Sequence, residues 1–322
     1  MIYRLKTKHP LYFACMITTK MDTQDTPPQV LITGFGDIGR RVARLLVPRH
    51  PVRALSRRLA SADETQMRDV EYLSGDLADL ASLEVLGKGT PPAATVFHFA
   101  PPPLTGLVDT HTRNLIAALE QIAPQGLPTQ FIYISTTGVY GDCGGAWIDE
   151  SRSVNPQTDR ARRRVDAEQV LAEWAARRSI ALVILRVPGI YAMDRLPLAR
   201  LQAGAPVIAA DEDAYTNHIH ADDLAQACVA SMALRGHHTL NIVDDSDLKA
   251  GDYFDLAADY FHLSRPPRLS RREAQIHLPA ISWSFLNESR RINNARMKEI
   301  LGLHLRHPTI AAFLAANPRN TG

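Results

Sequence analysis

Three closely spaced glycines near residue 35 form a candidate phosphate-binding loop. The loop follows a short apolar run and precedes a segment with apolar residues at helical spacing, which is the context that a G-x-G-x-x-G pattern requires. Gly34 permits a tight turn, Gly36 lets a pyrophosphate approach the backbone, and Gly39 allows close packing of helix and strand. The helix N-terminus then faces the phosphates. The cofactor-binding residues predicted in this loop are Gly34, Phe35, Gly36, Asp37, Ile38 and Gly39.

The residues after the second predicted strand bear on the choice of cofactor. A carboxylate at this point would bind the ribose 2′-hydroxyl of NAD. The sequence instead reads Ser56-Arg57-Arg58, and Arg40 follows the glycine loop. Serine and guanidinium groups suit a 2′-phosphate, because arginine presents a planar fork of donors to phosphate. The pattern therefore favours NADP, with NAD as the alternative, although a solvated basic loop would have the same composition.

The elements that position these residues alternate between strands and helices. Short apolar runs predict strands at 30–33, 53–56, 71–74, 95–99, 130–135 and 181–186. Apolar residues at helical spacing predict helices between them, including one at 114–122. This alternation is typical of an α/β protein with a doubly wound parallel sheet, the Rossmann fold.

The chain divides into three predicted parts. Residues 1–29 are predicted to be a disordered N-terminal extension, because a polar, proline-containing stretch separates them from the first strand. Residues 30–186 are predicted to form the NAD(P)-binding Rossmann domain. Residues 187–322 are predicted to form a smaller, partly interleaved substrate-binding lobe, with 217–245 returning to the Rossmann sheet.

The returning segment has its own predicted elements. A helix is expected at 222–233 and a strand at 240–243. Asp222 and Asp223 precede the apolar part of this helix, and we expect them to cap it.

Four further motifs carry a resemblance to a known family. In chain order they are Gly75-Asp76-Leu77, Val96-Phe97-His98-Phe99-Ala100, Ile134-Ser135-Thr136-Thr137-Gly138-Val139-Tyr140-Gly141 and His218-Ile219-His220-Ala221-Asp222-Asp223-Leu224-Ala225. With the glycine loop, they make nearly everything after residue 29 resemble the extended short-chain dehydrogenase/reductases, the NAD-dependent epimerase/dehydratase group. The resemblance implies that Asp76, with Leu77 beside it, contacts the adenine and that Ala100 lines the cofactor groove. It also implies that Thr136 is the catalytic Ser/Thr, with Ser135 beside it.

The family's catalytic tyrosine and lysine, four residues apart, have no counterpart here. No tyrosine in this chain has a lysine four residues later. Aligned on the flanking motifs, the tyrosine position falls on Arg160 and the lysine position on Arg164, so the chain resembles an atypical member. A guanidinium cannot relay a proton near neutral pH, but it can bind an anion or stabilise a developing negative charge. We therefore expect Arg160 and Arg164 to act in the site, and Arg162 and Arg163 to be solvated.

Two other departures from the family's pattern argue against a nucleotide sugar as the substrate. Gly189 stands where the family usually has an asparagine for the nucleotide sugar, and Thr216 stands where it usually has an arginine. His218 and Tyr191 remain as candidate substitute acids, since histidine titrates near neutral pH, but such residues are more often structural.

Composition and charge exclude several classes of protein. A formal net charge of +2 argues against a dedicated nucleic-acid binder. No apolar run reaches the roughly 20 residues that a membrane-spanning helix needs. Three cysteines without paired or zinc-site spacing fit a reducing cytosol and no metal site. We expect a cytoplasmic protein that binds a small molecule, alone or as a homodimer, and neither nucleic acid nor membrane.

Two functions of different classes agree with these residues. The first is an NAD(P)-dependent oxidoreductase or epimerase/dehydratase-like enzyme on a small carbonyl, hydroxyl or sugar-like substrate. The second is a non-catalytic NADP(H)-binding redox sensor or partner-binding protein. The retained hydroxyl of Thr136 favours the enzyme, because a sensor needs no group to stabilise an electrophile.

Overall fold

A parallel sheet of seven strands lies at the centre of the computed structural model, which describes residues 27–57, 67–88, 92–123 and 126–319. The strands are β1 (Val30–Thr33), β2 (Val52–Ser56), β3 (Val70–Ser74), β4 (Thr95–His98), β5 (Gln130–Thr136), β7 (Ala181–Val187) and β12 (His237–Asn241). Their order across the sheet is β12-β7-β5-β4-β1-β2-β3, and every neighbouring pair is parallel. The predicted Rossmann α/β fold is confirmed.

Helices cover both faces of this sheet. One face carries α1 (Asp37–Leu46), α5 (Ala221–Ala230) and α9 (Ala295–Leu301), and the other carries α2 (Thr110–Gln121), α3 (Asp159–Arg178) and a 3₁₀ helix at Leu80–Gly87. Each face has its own apolar core, because successive side chains of a strand point to opposite faces. In β1, Val30 and Ile32 join one core and Leu31 joins the other.

The strand order places a ligand-binding crevice beside β1. β1 pairs with β2 on one side and with β4 on the other, so the order of connection reverses at this point. Ligands of doubly wound sheets bind outside the carboxyl ends of the strands at such a reversal. The glycine loop follows β1 and therefore lies at this edge.

A smaller lobe is built from short strand pairs and helices. In the described part of the chain, the pairs are β6 (Trp147–Ile148) with β15 (Arg291–Ile292), β8 (Gly189–Tyr191) with β11 (His218–His220), β9 (Val207–Ile208) with β14 (Arg268–Leu269), and β10 (Tyr215–Thr216) with β13 (Leu248–Lys249). The helices are α4 (Leu198–Gln202), α6 (Ala250–Phe261), α7 (Arg271–His277), α8 (Ala280–Leu286) and α10 (Ile310–Ala316). Segment 217–245 contributes β11 to this lobe, and α5 and β12 to the layers of the Rossmann sheet.

Two elements start three or four residues earlier than the sequence-based expectation. β12 runs from His237 to Asn241 instead of 240–243, because its first residues lie at the exposed edge of the sheet and lack an apolar pattern. α2 begins at Thr110, four residues early, because the buried Asp109 caps it by accepting a hydrogen bond from the backbone N–H of Thr112 at 3.1 Å.

The expectation that Asp222 and Asp223 cap α5 is wrong. The helix begins one residue earlier, so the cap is His220, whose Nδ1 accepts the backbone N–H of Asp222 at 3.1 Å. The Asp223 carboxylate instead accepts two backbone N–H groups, of Arg306 and His307, in the loop before α10. It therefore fixes the C-terminal segment to the Rossmann layers.

Two further expectations concern the N-terminal extension and membrane-spanning helices. Of the predicted N-terminal extension, only 27–29 lie inside them. Among the described residues, no helix combines the length and the apolar content that crossing a bilayer requires.

Candidate active site

The glycine loop has the geometry that close approach of a phosphate demands. Gly34 has a φ of +84°, and a Cβ on it would lie 2.3 Å from the backbone nitrogen of Ala100. A Cβ on Gly39 would lie 3.0 Å from the Gly34 carbonyl oxygen, so helix and loop pack closely there and a side chain would require the loop to shift. Around Gly36, which caps α1, a Cβ would meet no atom within 4 Å. That open space at a helix N-terminus is where an anion would be bound.

The other predicted residues of the loop pack against its surroundings. Ile38 is buried in the core under the sheet, and the Phe35 ring contacts Tyr72 edge-on at 5.5 Å. The Asp37 carboxylate accepts from Arg41 at 2.9 Å and pairs with Arg195 at 3.3 Å. Asp37 thus carries positive partners, which reduces the repulsion between its carboxylate and a neighbouring phosphate.

The adenine-ribose side of the crevice lies at the ends of β2 and β3. Ser56 is half-buried and Arg57 is exposed at the end of β2, while Arg58 lies outside the described residues. The Asp76 carboxylate accepts the N–H of Ala78 at 2.9 Å, and Leu77 is buried beside it. These side chains lie at the same sheet edge as the glycine loop.

A buried histidine that the sequence analysis did not single out as functional holds β1, β4 and α2 together. Nδ1 of His98 lies 2.6 Å from the Thr33 hydroxyl, and its Nε2 lies 2.9 Å from the Thr112 hydroxyl, which donates to Asp109. Burial, with the nearby positive charge of Arg164, lowers the pKa of His98 to about 3. The ring is therefore neutral and acts as a hydrogen-bonded spacer at the base of the crevice.

A cavity of about 570 Å³ opens where the carboxyl ends of β4, β5 and β7 meet the smaller lobe. Its size is that of a small-molecule site. Residues Ser135, Thr136, Arg160 and Arg164 line it, so the structure brings the four predicted catalytic residues to one place. The loop after β4 joins this cavity to the glycine loop, because Ala100 packs on Gly34 while 101–103 line the cavity.

The two hydroxyls at the end of β5 differ in what they can do. The Ser135 hydroxyl is buried and donates to Glu168, so its proton is already committed. The Thr136 Oγ1 accepts the backbone N–H of Gly138 at 3.2 Å and is half-buried. An accepting hydroxyl keeps its own proton for another acceptor. Thr136 is therefore able to donate to a substrate oxygen.

The two arginines at the expected tyrosine and lysine positions also differ. Arg164 donates to the Tyr133 hydroxyl at 2.9 Å and to the Ile134 carbonyl at 2.8 Å, so it is anchored on β5. Arg160 stacks over the Phe285 ring at 4.1 Å. Burial lowers the pKa of Arg160, against the raising influence of the nearby Glu288 carboxylate. Arg160 is thus a partly desolvated cation that faces the cavity.

The expectation for the two intervening arginines holds for only one of them. Arg162 is exposed and pairs with Asp159 at 2.8 Å. Arg163 is buried, lines the cavity and donates to the Gly106 carbonyl at 2.6 Å. The reason is that the loop after β4 folds over α3, a tertiary contact that helical spacing alone does not reveal.

Sequence analysis also missed two cavity arginines from distant segments. Arg200 lies in α4, and Arg290 directly precedes β15. Both line the cavity. Glu288 is the acidic residue of the cavity lining, and it pairs with Arg290 at 2.7 Å. No local motif marks these positions, because the fold alone places them opposite α3.

The candidate substitute acids are packed against aromatic rings. His218 lines the cavity, and its ring lies 4.3 Å from that of Tyr253; burial lowers its pKa to about 4. Tyr191 is buried beside His220, and burial raises its pKa well above the usual range. A Cβ on Gly189 would lie 3.2 Å from the His218 ring, so the histidine fills the space that a side chain at 189 would need.

One group of side chains has donor atoms close enough for a metal ion. Atoms of His220, Asp222 and His307 lie within 4.8 Å of one another. Nδ1 of His220 already accepts the Asp222 N–H, and Arg41 donates to the Asp222 carboxylate at 2.5 Å. The bond between Arg41 and Asp222 joins α1 to α5.

Comparison with known proteins places this geometry in a family. Residues 30–242 match the NAD dependent epimerase/dehydratase family. A curated relative, the uncharacterized protein y4nG of Sinorhizobium fredii, is 25% identical over 185 residues, which cover 54% of this chain and 46% of y4nG. The match thus spans less than half the length of that protein.

Solved structures show the same fold over most of the chain. A conserved protein of unknown function from Silicibacter pomeroyi DSS is 28% identical, with a TM-score of 0.73 over 90% of this chain and 97% of that one. MoeE5, solved with UDP-glucuronic acid and NAD, is 22% identical, with a TM-score of 0.69 over 89% and 96%. A UDP-glucose 4-epimerase from Thermotoga maritima, solved with UDP-glucose, is 18% identical, with a TM-score of 0.71 over 89% and 96%.

Proposed function

Because this chain belongs to the NAD dependent epimerase/dehydratase family, we propose that it is an NADP-dependent oxidoreductase acting on a small carbonyl or hydroxyl compound. The main observation behind the proposal is that the glycine loop and the cavity adjoin each other. The loop after β4 contacts the glycine loop at Ala100 and then lines the cavity that holds Thr136 and Arg160. A dinucleotide on the glycine loop would therefore extend toward the cavity.

The fit of a dinucleotide rests on the cradle at the start of α1. Only hydrogen fits at Gly34, a side chain at Gly39 would press on the loop, and the space in front of Gly36 is open. Bound there, the cofactor would exchange a hydride with the substrate. The preference for NADP is supported by Ser56 and Arg57 at the end of β2, where no carboxylate stands. The buried Nε of Arg40 has no partner among the described residues and would gain one from a phosphate.

Thr136 and Arg160 act on the substrate oxygen in this proposal. As a carbonyl is reduced, negative charge develops on its oxygen, and preorganised donors stabilise it most when water is excluded. Thr136 supplies a hydroxyl proton that no described residue accepts, and Arg160 supplies a partly desolvated cation. Arg164 is held by β5 and keeps the adjoining cavity wall in place.

The proton that completes a carbonyl reduction comes from water. Arg160 retains its proton near neutral pH, so it cannot replace the family's tyrosine as an acid. His218 lines the same cavity, but a pKa of about 4 leaves it uncharged at pH 7. We therefore assign no side chain of the cavity as the proton donor.

The test compares single substitutions in an NADPH-oxidation assay over a panel of aldehydes, ketones and oxo acids. Thr136→Ala is expected to lower turnover by a factor on the order of ten to a thousand, as loss of one transition-state donor does, with NADPH affinity unchanged. Thr105→Ala, an exposed threonine in the loop after β4, is the matched control. Arg160→Tyr restores the family's residue type and is expected to raise or redirect reductase activity, because Arg164 would lower the pKa of the new phenol.

The same assay separates this proposal from a cofactor-binding sensor. If the protein is a sensor, wild type and Thr136→Ala should bind NADPH with the same affinity, and neither should turn over any member of the panel. That result would replace the oxidoreductase by the non-catalytic function.

A further inference from the structure

The cavity wall carries an excess of positive charge. Among the residues that the structure describes, five arginines and one carboxylate line it, although the whole chain has a formal net charge of only +2. The arginines are Arg160, Arg163, Arg164, Arg200 and Arg290, and the carboxylate is Glu288. Charges of one sign inside a cleft create a potential that concentrates ligands of the opposite sign.

Three of these arginines are already committed to the protein. Arg163 donates to the Gly106 carbonyl, Arg164 to the end of β5, and Arg290 to Glu288 at 2.7 Å. Since Glu288 is bound to Arg290, the cavity's acidic residue is also engaged. These groups hold the walls in place and leave few donors for a ligand.

Arg160 and Arg200 are different. Each stacks on an aromatic ring, Arg160 over Phe285 at 4.1 Å and Arg200 over Phe254 at 4.5 Å. Neither donates a hydrogen bond or forms an ion pair with any described residue in the 27–57, 67–88, 92–123 and 126–319 ranges. Burial lowers the pKa of both side chains. A partly buried guanidinium without an acceptor is unfavourable, and an anion in the cavity would offset that cost.

We propose that Arg160 and Arg200 bind an oxyanion of the substrate, a carboxylate or a phosphate. The assignment rests on the proposed oxidoreductase function and names its substrate class, a small carbonyl or hydroxyl compound whose anionic group lies next to the reacting oxygen. The fork of Arg160 would then donate to both the anionic group and the reacting oxygen. A guanidinium donates through a planar fork that matches both kinds of oxyanion. The two arginines come from α3 and α4, so they approach the cavity from different elements.

The remaining lining suits the carbon part of a small substrate. His218 fills the space beside Gly189, and the Tyr253 ring stacks on it at 4.3 Å. Together with Phe285, these rings offer an apolar surface to the carbon part of the substrate. The arrangement thus combines two free cations with a short apolar wall.

Calorimetric titration of the NADPH-saturated protein tests the inference with three probes at constant ionic strength. The probes are malonate, inorganic phosphate and malonamide, the last being a neutral analogue of malonate. Malonate or phosphate is expected to bind at least tenfold more tightly than malonamide. Arg160→Gln and Arg200→Gln are each expected to weaken that binding at least tenfold. Arg162→Gln, on the same helix as Arg160 but exposed and paired with Asp159, is the matched control and should bind as wild type does.

The outcomes separate this inference from the proposed function. Tighter binding of malonate assigns a carboxylate and tighter binding of phosphate assigns a phosphate; either supports the site. Anion binding that survives both substitutions, or no preference for the anions over malonamide, overturns it. If a neutral carbonyl compound is reduced while anions do not bind, the inference fails and the oxidoreductase stands. If the anions bind at Arg160 and Arg200 but no compound is turned over, the oxidoreductase fails and the anion site stands.

Discussion

Replacing Glu168 by glutamine perturbs a buried ion pair beside the cavity. Glu168 on α3 and Arg186 on β7 have side chains only 9% and 10% exposed, and they meet at 2.7 and 3.2 Å through two hydrogen bonds. The Ser135 hydroxyl also donates to Glu168, and Arg186 donates to the Tyr140 hydroxyl at 2.9 Å. Burial alone would lower the pKa of Arg186, but its bonds and charge interaction with Glu168 raise it overall. The pair therefore joins α3, β5 and β7.

The expected magnitude follows from the donors that Glu168 accepts. Three N–H or O–H groups point at its two oxygens, and a glutamine would place an N–H₂ against at least one of them. Arg186 would remain charged and buried without a counter-ion. Breaking a buried pair by removing one partner costs about 3–5 kcal/mol. With a urea dependence of about 3 kcal/mol per molar, the unfolding midpoint should fall by about 1–2 M.

The assay is urea denaturation followed by tryptophan fluorescence, with a matched acid-to-amide control on the same helix. Asp159 pairs with Arg162 at the exposed start of α3, where the side chains are 63% and 47% exposed. Asp159→Asn should cost at most about 1 kcal/mol, because solvent screens an exposed pair. A loss below about 1 kcal/mol for Glu168→Gln, equal to that of the control, would refute the reasoning that the network is desolvated and coupled.

Three further predictions concern the cofactor and pH. Gly36→Val should abolish NADPH binding with the fold retained, because the side chain would occupy the open space before α1; unchanged binding would place the cofactor elsewhere. Arg57→Ala with Arg58→Ala should remove a preference for NADPH over NADH in calorimetry, and equal affinities in wild type would contradict the NADP proposal. Burial raises the pKa of Asp244 to about 7, so its protonated form is favoured in the folded state. The stability that Asp244 contributes is fully present below about pH 4, where the unfolded chain also holds the proton, and it is lost as the pH rises from about 4 to 7. The stability of Asp244→Asn relative to wild type should therefore increase by up to a few kcal/mol between these two pH values. If the two stability curves run parallel from about pH 4 to 7, the pKa of Asp244 is not raised in the folded protein.

Much of the cofactor half could be predicted because its signals are local. The G-x-G-x-x-G spacing specifies a turn, an open approach and a tight contact within six residues, and the structure has all three at Gly34, Gly36 and Gly39. Strands β1–β5 and β7 of the sheet were predicted to within one residue at each end, because each contains a short apolar run. The exception is β12, whose polar first residues lie at the sheet edge. The roles of the predicted cofactor and catalytic residues stay predictions until a ligand is bound.

The catalytic half depended more on packing than on spacing. Ser135 and Thr136 are adjacent in sequence, yet only the fold shows that Glu168 engages one hydroxyl and leaves the other facing the cavity. Arg162 and Arg163 look equivalent at a helix start, but the loop after β4 buries the second. In both pairs, contacts with residues that are distant in the sequence determine which side chain is buried or hydrogen-bonded.

The amino-acid sequence by itself determined the α/β alternation and the glycine loop, and it led to the prediction that arginines stand at the family's tyrosine and lysine positions. These features depend on residue type and on spacing over a few residues, which the chain carries whatever its tertiary context. Only the tertiary structure decided that Arg160 and Arg200, forty positions apart, face one cavity as unpaired cations. The physical reason is that burial and hydrogen-bond partners are properties of packed neighbours, and these neighbours come from segments that meet only in the folded chain.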